Sequence, residues 1–436
     1  MELEHYPFQI NEQGNLTVSE VDTVSLVKQY GTPLYVYDVA HIRKNCRAFV
    51  DTFKKHGITA QVAYASKAFS SIAILQVVHQ EGLAVDVVSK GELYTALQAG
   101  VPPEKIHFHG NNKSRSELEM ALKHRVGCIV IDNFYEISLL GELLEVYNQE
   151  VDVLMRVTPG LRSNTHEYIM TGNEDSKFGF NIHNGQAEQA FLEIRNHKQL
   201  RLKGLHCHIG SQIFETEGFI KATSMLFSVI ADWQKRYQFT PEVMNLGGGF
   251  GIRYTDEDQP LPRHEYVEAL IEAVKHHVEQ IKIPMPEIWI EPGRSIVGDA
   301  GITLYKIGSM KDIPGIRKYI TVDGGMTDNL RPALYQAKYD AIVANRANDA
   351  RTELVSIAGK CCESGDMLIY DINLQKTDQN DILAVLSTGA YGYSMANNYN
   401  RFTRPAVVFV ENGQHQLVVK RETYIDVVQH DLSYLK

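Results

Sequence analysis

Gln61-Val62-Ala63-Tyr64-Ala65-Ser66-Lys67-Ala68-Phe69 is a short β-prone run that breaks into a small polar turn. Beyond it, Ser70–His79 carries apolar residues at helical spacing. The same unit recurs down the chain: an apolar run, a polar or glycine-containing turn, then a helical stretch. The runs are Gln61–Tyr64, Val85–Val88, Ile106–Phe108, Ile129–Ile131, Val153–Val157, Gly204–Cys207, Val243–Leu246 and Ile288–Ile290. Gly91–Ala99, Ser114–Lys123 and Phe134–Tyr147 are among the helical stretches between them. Eight such units in roughly 240 residues predict an α/β protein built on a closed (β/α)8 barrel. An open doubly wound sheet is the alternative. It fits less well, because polar signals follow nearly every run instead of gathering at one switch point.

After about residue 300 the pattern changes to β-prone runs separated by turns. They are Gly301–Ile307, Lys318–Val322, Arg351–Ile357, Met367–Ile372, Ala406–Glu411 and Gln416–Arg421. The expected organisation is a barrel over 36–300 and a second β-rich domain, an antiparallel barrel or sandwich, over 301–436. Residues 1–35 are too few to fold alone and are expected to complete that domain, although Leu34–Tyr37 could also be counted as a barrel strand. A chain of 436 residues has length enough for two cores.

The balance of 43 basic against 53 acidic residues gives a net charge of -10, which argues against a nucleic-acid or anionic-membrane surface. No apolar run approaches membrane-spanning length, and the first residues lack the apolar core of a signal segment. Cys46, Cys128, Cys207, Cys361 and Cys362 are odd in number and show no zinc-knuckle spacing, so reduced thiols are expected. These features predict a soluble cytoplasmic protein.

In a (β/α)8 barrel, chemistry sits where the strands end. The first run ends at Lys67, the second at Ser89-Lys90-Gly91-Glu92, the third at His109 and the fifth at Arg156. The sixth carries His206, His208 and Ser211, the seventh Gly247-Gly248-Gly249, and the eighth Glu291-Pro292-Gly293-Arg294. Lys67 reads as a solvated surface lysine or as a partly desolvated amine able to attack an aldehyde. The triple glycine marks a plain turn or bares N–H groups to a phosphate, with Gly293 and Arg294 closing the cradle. Glu291 is a buried acid paired with arginine, or it holds a proton on a cofactor's ring nitrogen. His208 is a core histidine or stacks on a flat ring. No motif suggests a metal, and no carboxylate partner for the two histidines is evident.

Taken together, the strings Tyr64-Ala65-Ser66-Lys67-Ala68, Gly204–Gln212, Asn245–Phe250 and Glu291–Arg294 resemble the diaminopimelate decarboxylases. That family belongs to the alanine-racemase-like, fold-type III enzymes that use pyridoxal 5'-phosphate, with ornithine and arginine decarboxylases as cousins. The similarity runs from about Leu34 to Pro405. It implies Lys67 as the Schiff-base lysine, His208 on the pyridine face and Glu291 at the pyridine nitrogen. Ser211, Gly247, Gly248, Gly249, Pro292, Gly293, Arg294 and Tyr391 would hold the cofactor. Cys362-Glu363-Ser364-Gly365-Asp366 resembles the segment that enters the partner's site, which implies a homodimer with shared sites.

The same resemblance implies meso-diaminopimelate as substrate, lysine and CO2 as products, and the last step of lysine biosynthesis as the role. Arg294, Arg331, Tyr335 and Tyr391 match the family's positions for the distal carboxylate and substrate, and Glu363 would take the distal ammonium. Cys362 or Lys67 would return a proton to Cα. The polar stretch Thr158–Phe180 reads as a lid or as a plain insertion, with Ser176-Lys177-Phe178-Gly179 matching the family. Lys90 departs from the usual Ser-Gly-Gly-Glu pattern, which puts a positive φ at that turn in doubt. A related decarboxylase acting on ornithine or arginine is the rival reading. A silent regulator would be expected to have lost Lys67 or Cys362, and neither is lost.

Overall fold

The computed structural model describes residues 6–160 and 176–434. Contacts divide the chain into two units: Arg43–Ile252 with Pro260–Ser295, and Met1–Ile42 with Arg253–Gln259 and Ile296–Lys436. The boundaries thus fall at 42/43 and 295/296, beside the expected 35/36 and 300/301, and residues 253–259 cross to the β-rich unit.

The first unit is a closed barrel of β1 (Ala60–Ala65), β2 (Ala84–Val87), β3 (Ile106–Phe108), β4 (Cys128–Ile131), β5 (Val151–Thr158), β6 (Leu200–His206), β7 (Val243–Asn245) and β8 (Glu287–Ile290). Each pairs in parallel with the next in sequence. The ring closes where Ile288, Trp289 and Ile290 of β8 meet Ala60, Gln61 and Val62 of β1. A two-residue strand, Phe180–Asn181, adds alongside β5.

Side-chain caps start the helices that follow β1 to β4. Ser71, Ser89, Ser114 and Asn133 each accept a backbone N–H from the first turn of the helix they precede. At the second turn Glu92 also reaches back to the Val88 N–H at 2.7 Å. Lys90 is therefore the first residue of a capped helix, Lys90–Gln98, and the turn needs no glycine conformation there. Gly204 does need to be glycine: a Cβ would stand 1.7 Å from the Val243 carbonyl oxygen, beside the register shift in β6.

The second unit carries a nine-stranded sheet and a small three-stranded one from residues 8–22. Leu34–Asp38 belongs to the larger sheet, between Gly301–Ile313 (antiparallel) and Ala406–Glu411 (parallel). The chain's early segment thus completes the β-rich unit, and Leu34–Tyr37 is not a barrel strand. The sheet is mixed where an antiparallel one was expected, since Arg317–Val322 also pairs in parallel with Arg351–Ala358. Residues 323–350 form the return connection that a parallel pair requires. Ala341–Val343 and Ile382–Val385 are further strands that the sequence reading missed. Leu16, Val18, Leu34, Val36, Ile302, Leu304, Ala384 and Val408 share one buried core, so residues from both ends of the sequence fill it together. Among the described residues no helix is long and apolar enough to cross a membrane.

Candidate active site

Alternation along the barrel strands turns every second side chain inward. One inner layer is apolar: Cys128, Val130, Leu154, Val243 and Trp289 pack together, and His107 stacks on Trp289 at 4.3 Å. The next inward positions toward the strand ends are Asp86, His109, Asp132, Arg156, His206, Asn245 and Glu291. The same period that seals the barrel therefore places a polar layer at its C-terminal mouth.

Glu291 is the centre of that layer. Its Oε1 accepts from Asn245 Nδ2 at 2.6 Å, His206 Nε2 stands 3.1 Å from Oε2, and His109 Nε2 is 3.2 Å from Oε1. Burial would push this carboxyl upward, but His109 and His206 outweigh it and hold the group well below the ordinary range. A carboxylate partner for His206 is thus present, contrary to expectation. It was hidden because the two residues lie on strands 85 positions apart in sequence. His109, His206 and Glu291 also form the one metal-compatible set among the described residues, and here their polar atoms face one another.

Lys67 lies in a one-turn 3₁₀ segment, Ser66–Ala68, directly after β1. Ser66 and Ala68 are buried, whereas Lys67 is exposed. The expected partial desolvation of this amine is therefore not found, because the turn rotates it away from its apolar neighbours. Gly293 packs against the same turn. A Cβ there would come within 3.0 Å of Ala65 Cβ and 3.2 Å of Ala68 Cβ, and Ala65 N–H donates to Pro292 O at 3.1 Å. The lysine turn and the Glu291-Pro292-Gly293 turn are locked together.

The triple glycine is packed more tightly than a bare anion nest. Gly247 N–H donates to Asn245 Oδ1 at 3.0 Å and Gly248 N–H to His208 Nδ1 at 3.2 Å. Those two donors, expected to be bared, are satisfied within the protein, which leaves the N–H of Gly249. A Cβ on Gly248 would stand 2.1 Å from Glu291 O, and one on Gly249 2.2 Å from Gly210 O. The half-buried His208 imidazole is pushed well below its ordinary value, first by burial and then by Lys67 and Arg156. With Nδ1 accepting, its proton is on Nε2. Arg294 is buried and donates to Ser211 Oγ at 2.9 Å.

Of the Thr158–Phe180 stretch read as a lid, residues 161–175 lie outside the described residues. Its last part stands over the barrel mouth: Gly179 N–H donates to Asp132 Oδ1 at 3.1 Å, and the Arg156 guanidinium lies 4.3 Å from the Phe178 ring centroid.

The remaining candidates belong to the β-rich unit. Arg331 opens the short helix Arg331–Tyr335 and is buried, donating to Tyr339 Oη at 2.6 Å with its guanidinium 4.9 Å from the Tyr254 ring. Tyr335 is half-buried at the helix end. Cys362 and Glu363 are exposed on a loop whose base is tied by Asp366, which accepts the N–H groups of Met326 (2.6 Å) and Cys361 (2.8 Å). Cys362 N–H donates to Asn400 Oδ1 at 2.8 Å. Tyr391 takes a positive φ of 60°. Tyr339, Tyr254 and Asn400 were not singled out in the sequence, and neither were the roles of Asp366, His109, His206 and Asn245. For His109 and His206 the signal was their place at strand ends.

The barrel-mouth residues fit pyridoxal phosphate. An ionised buried carboxylate suits a pyridinium nitrogen, a primary amine follows β1, and the Gly248–Gly249 backbone leaves no space for side chains. The fold and this arrangement are those of a barrel-type pyridoxal-phosphate enzyme. The pyridoxal-binding domain model of the pyridoxal-dependent decarboxylases matches residues 39–298. The chain is 60% identical to the diaminopimelate decarboxylase of Bacillus subtilis over 97% of both chains. It is also 60% identical to that of Bacillus methanolicus over 96% of this chain and 97% of the other. The crystal structure of the M. jannaschii diaminopimelate decarboxylase with L-lysine superposes with a TM-score of 0.93 at 34% identity, covering 99% and 98% of the two chains. The chain belongs to the diaminopimelate decarboxylase family.

The His208 environment makes a direct prediction. In 15N NMR of the histidine side chains, with His208→Asn used for assignment, His208 should remain neutral and Nε2-protonated through the pH range in which an ordinary imidazole takes up its proton. An imidazolium signal from His208 in that range would contradict the described geometry.

Proposed function

We propose that the chain decarboxylates meso-2,6-diaminopimelate to L-lysine and CO2, the last step of lysine biosynthesis by the diaminopimelate route. It would do so in the cytoplasm, as a homodimer with shared sites. The observation that carries the reaction is the 60% identity to the Bacillus subtilis enzyme along 97% of both chains. The resemblance of Cys362–Asp366 to the family's intersubunit segment supports the dimer.

Pyridoxal phosphate, when bound, supplies the electron sink that accepts the pair left by departing CO2. Lys67 Nζ is the amine that would take up its aldehyde carbon. Glu291, already ionised, would hold a proton at the ring nitrogen, and neutral His208 would offer its flat face to the ring. Gly249 N–H, Ser211 Oγ and the Arg294 guanidinium would hold the phosphate, and the family resemblance adds Tyr391 to that set. Gly247, Gly248 and Gly293 act by being small, and Pro292 by linking the eighth strand to the Lys67 turn. Arg331, Tyr335, Glu363 and Tyr391 would fix the distal amino acid head, with Arg294 contributing, which selects a substrate charged at both ends. Cys362 Sγ of the partner, or Lys67 Nζ, would deliver the proton to Cα.

Decarboxylation of meso-diaminopimelate, ornithine and arginine side by side, with product identification, tests the substrate. Lysine should form from the first, with kcat/KM for the others at least about a hundredfold lower, because a buried carboxylate clamp is left unpaired by them. A preference for ornithine or arginine would refute the assignment of the distal pocket. Shared sites are tested by mixing inactive Lys67→Ala and Cys362→Ala subunits. Half of randomly assorted dimers are hybrids with one intact site of two, so about a quarter of wild-type activity should return. Hybrids that form and stay inactive would rule the shared site out.

A further inference from the structure

Three carboxylates enter the polar barrel layer, and they are not equally partnered. Asp132 has the Arg156 guanidinium at 3.8 Å. His109 lies between the other two, its Nε2 3.5 Å from Asp86 Oδ1 and 3.2 Å from Glu291 Oε1, and Asp86 has a second imidazole, His107, whose Nδ1 is 3.2 Å from the same Asp86 oxygen. Glu291's other partners are neutral donors. Asn245 is an amide, and burial pushes His206 below its ordinary value while its Nδ1 stays buried without a partner. A neutral His109 would leave the buried Glu291 with no compensating charge beside it.

We propose that His109, held as a cation between Asp86 and Glu291, is a positioning residue for decarboxylation whose charge biases the proton shared with Glu291 toward the cofactor's ring nitrogen. The inference rests on Glu291 as the partner of that nitrogen. A carboxylate beside a fixed cation is the weaker base, so the proton stays on nitrogen and the ring remains the stronger electron sink. His109 acts through Glu291 and need touch neither cofactor nor substrate.

The local electrostatics agree with the geometry. Burial drives His109 downward, yet Glu291 and Asp86 together hold it above its ordinary value. Among the groups that lower Glu291, His109 is the largest. The groups facing His109 are Asp86 on β2, Glu291 on β8, His206 edge-on at 5.1 Å on β6, and Arg156 on β5. The carboxylates favour its charge and Arg156 opposes it.

The test is the 15N chemical shift of isotopically labelled pyridoxal phosphate bound to the protein, read beside kcat and KM. In His109→Gln the ring signal should move toward its unprotonated position, with kcat down about tenfold and KM changed by less than about twofold, as for a loss of roughly one pK unit of bias. Asp86→Asn removes one of the two carboxylates that keep His109 charged, so the ring-nitrogen titration and the alkaline limb of kcat should both move to lower pH. This second variant decides the matter if His109→Gln does not fold. Ring signals identical to wild type in the folded variants would overturn the proposal. Glu291→Gln separates the two layers of argument. If it too leaves the ring signal unchanged, the reading of Glu291 itself fails. If it alone changes the signal, only the role of His109 fails.

Discussion

Ile288 pairs with Ala60 and Ile290 with Val62, and on this parallel seam the rest of the molecule's chemistry depends. The two strands lie more than two hundred residues apart in sequence. Their pairing closes the barrel, and it also sets the turn after β1 beside the turn after β8. Ala65 N–H holds Pro292 O, and Gly293 fits against Ala65 and Ala68 where a Cβ would already stand in tight contact, 3.0 Å from Ala65 Cβ. Lys67 and Glu291 are thereby fixed to one framework without touching. A loop could not hold two such groups at constant separation, whereas a hydrogen-bonded seam can.

The polar layer above the seam has to solve an electrostatic problem of its own making. Three inward carboxylates in a barrel core would each be costly to bury alone. The chain meets that cost with Arg156 for Asp132, with His109 between Asp86 and Glu291, and with neutral donors from Asn245 and His206. The same arrangement prepares a negative site of defined basicity. Backbone economy matters equally, since Gly248 and Gly249 let the seventh strand's end pass within contact of Glu291 O and Gly210 O. The glycines serve close packing of strand ends as much as access to a phosphate.

The barrel was legible because its signal is repetitive: eight β-prone runs with helical stretches between them match the eight observed strands to within a few residues. The β-rich unit was less so. Ala341–Val343 is three residues long, and Ile382–Val385 shows no alternation because it is buried on both faces. Lys67, His208 and Glu291 stood out as reactive types at strand ends. The partners of Glu291 did not, because period-two alternation shows which face a residue takes but not which strand end it meets across a barrel. Arg331 illustrates the same limit. Its string was recognisable, but Tyr339 eight residues on and Tyr254 far upstream become its neighbours only through the fold. The solvent exposure of Lys67 ran against the apolar character of its neighbours, because a single 3₁₀ turn reverses which side chains face inward.

The claim on which the account stands is that the amine following β1 is the one that carries pyridoxal phosphate. Borohydride reduction of the cofactor-loaded protein, followed by proteolysis and mass mapping, tests it most directly. The account predicts one phosphopyridoxyl group per chain, on the peptide containing Tyr64-Ala65-Ser66-Lys67. Label on any other lysine, or none retained after reduction, would contradict it.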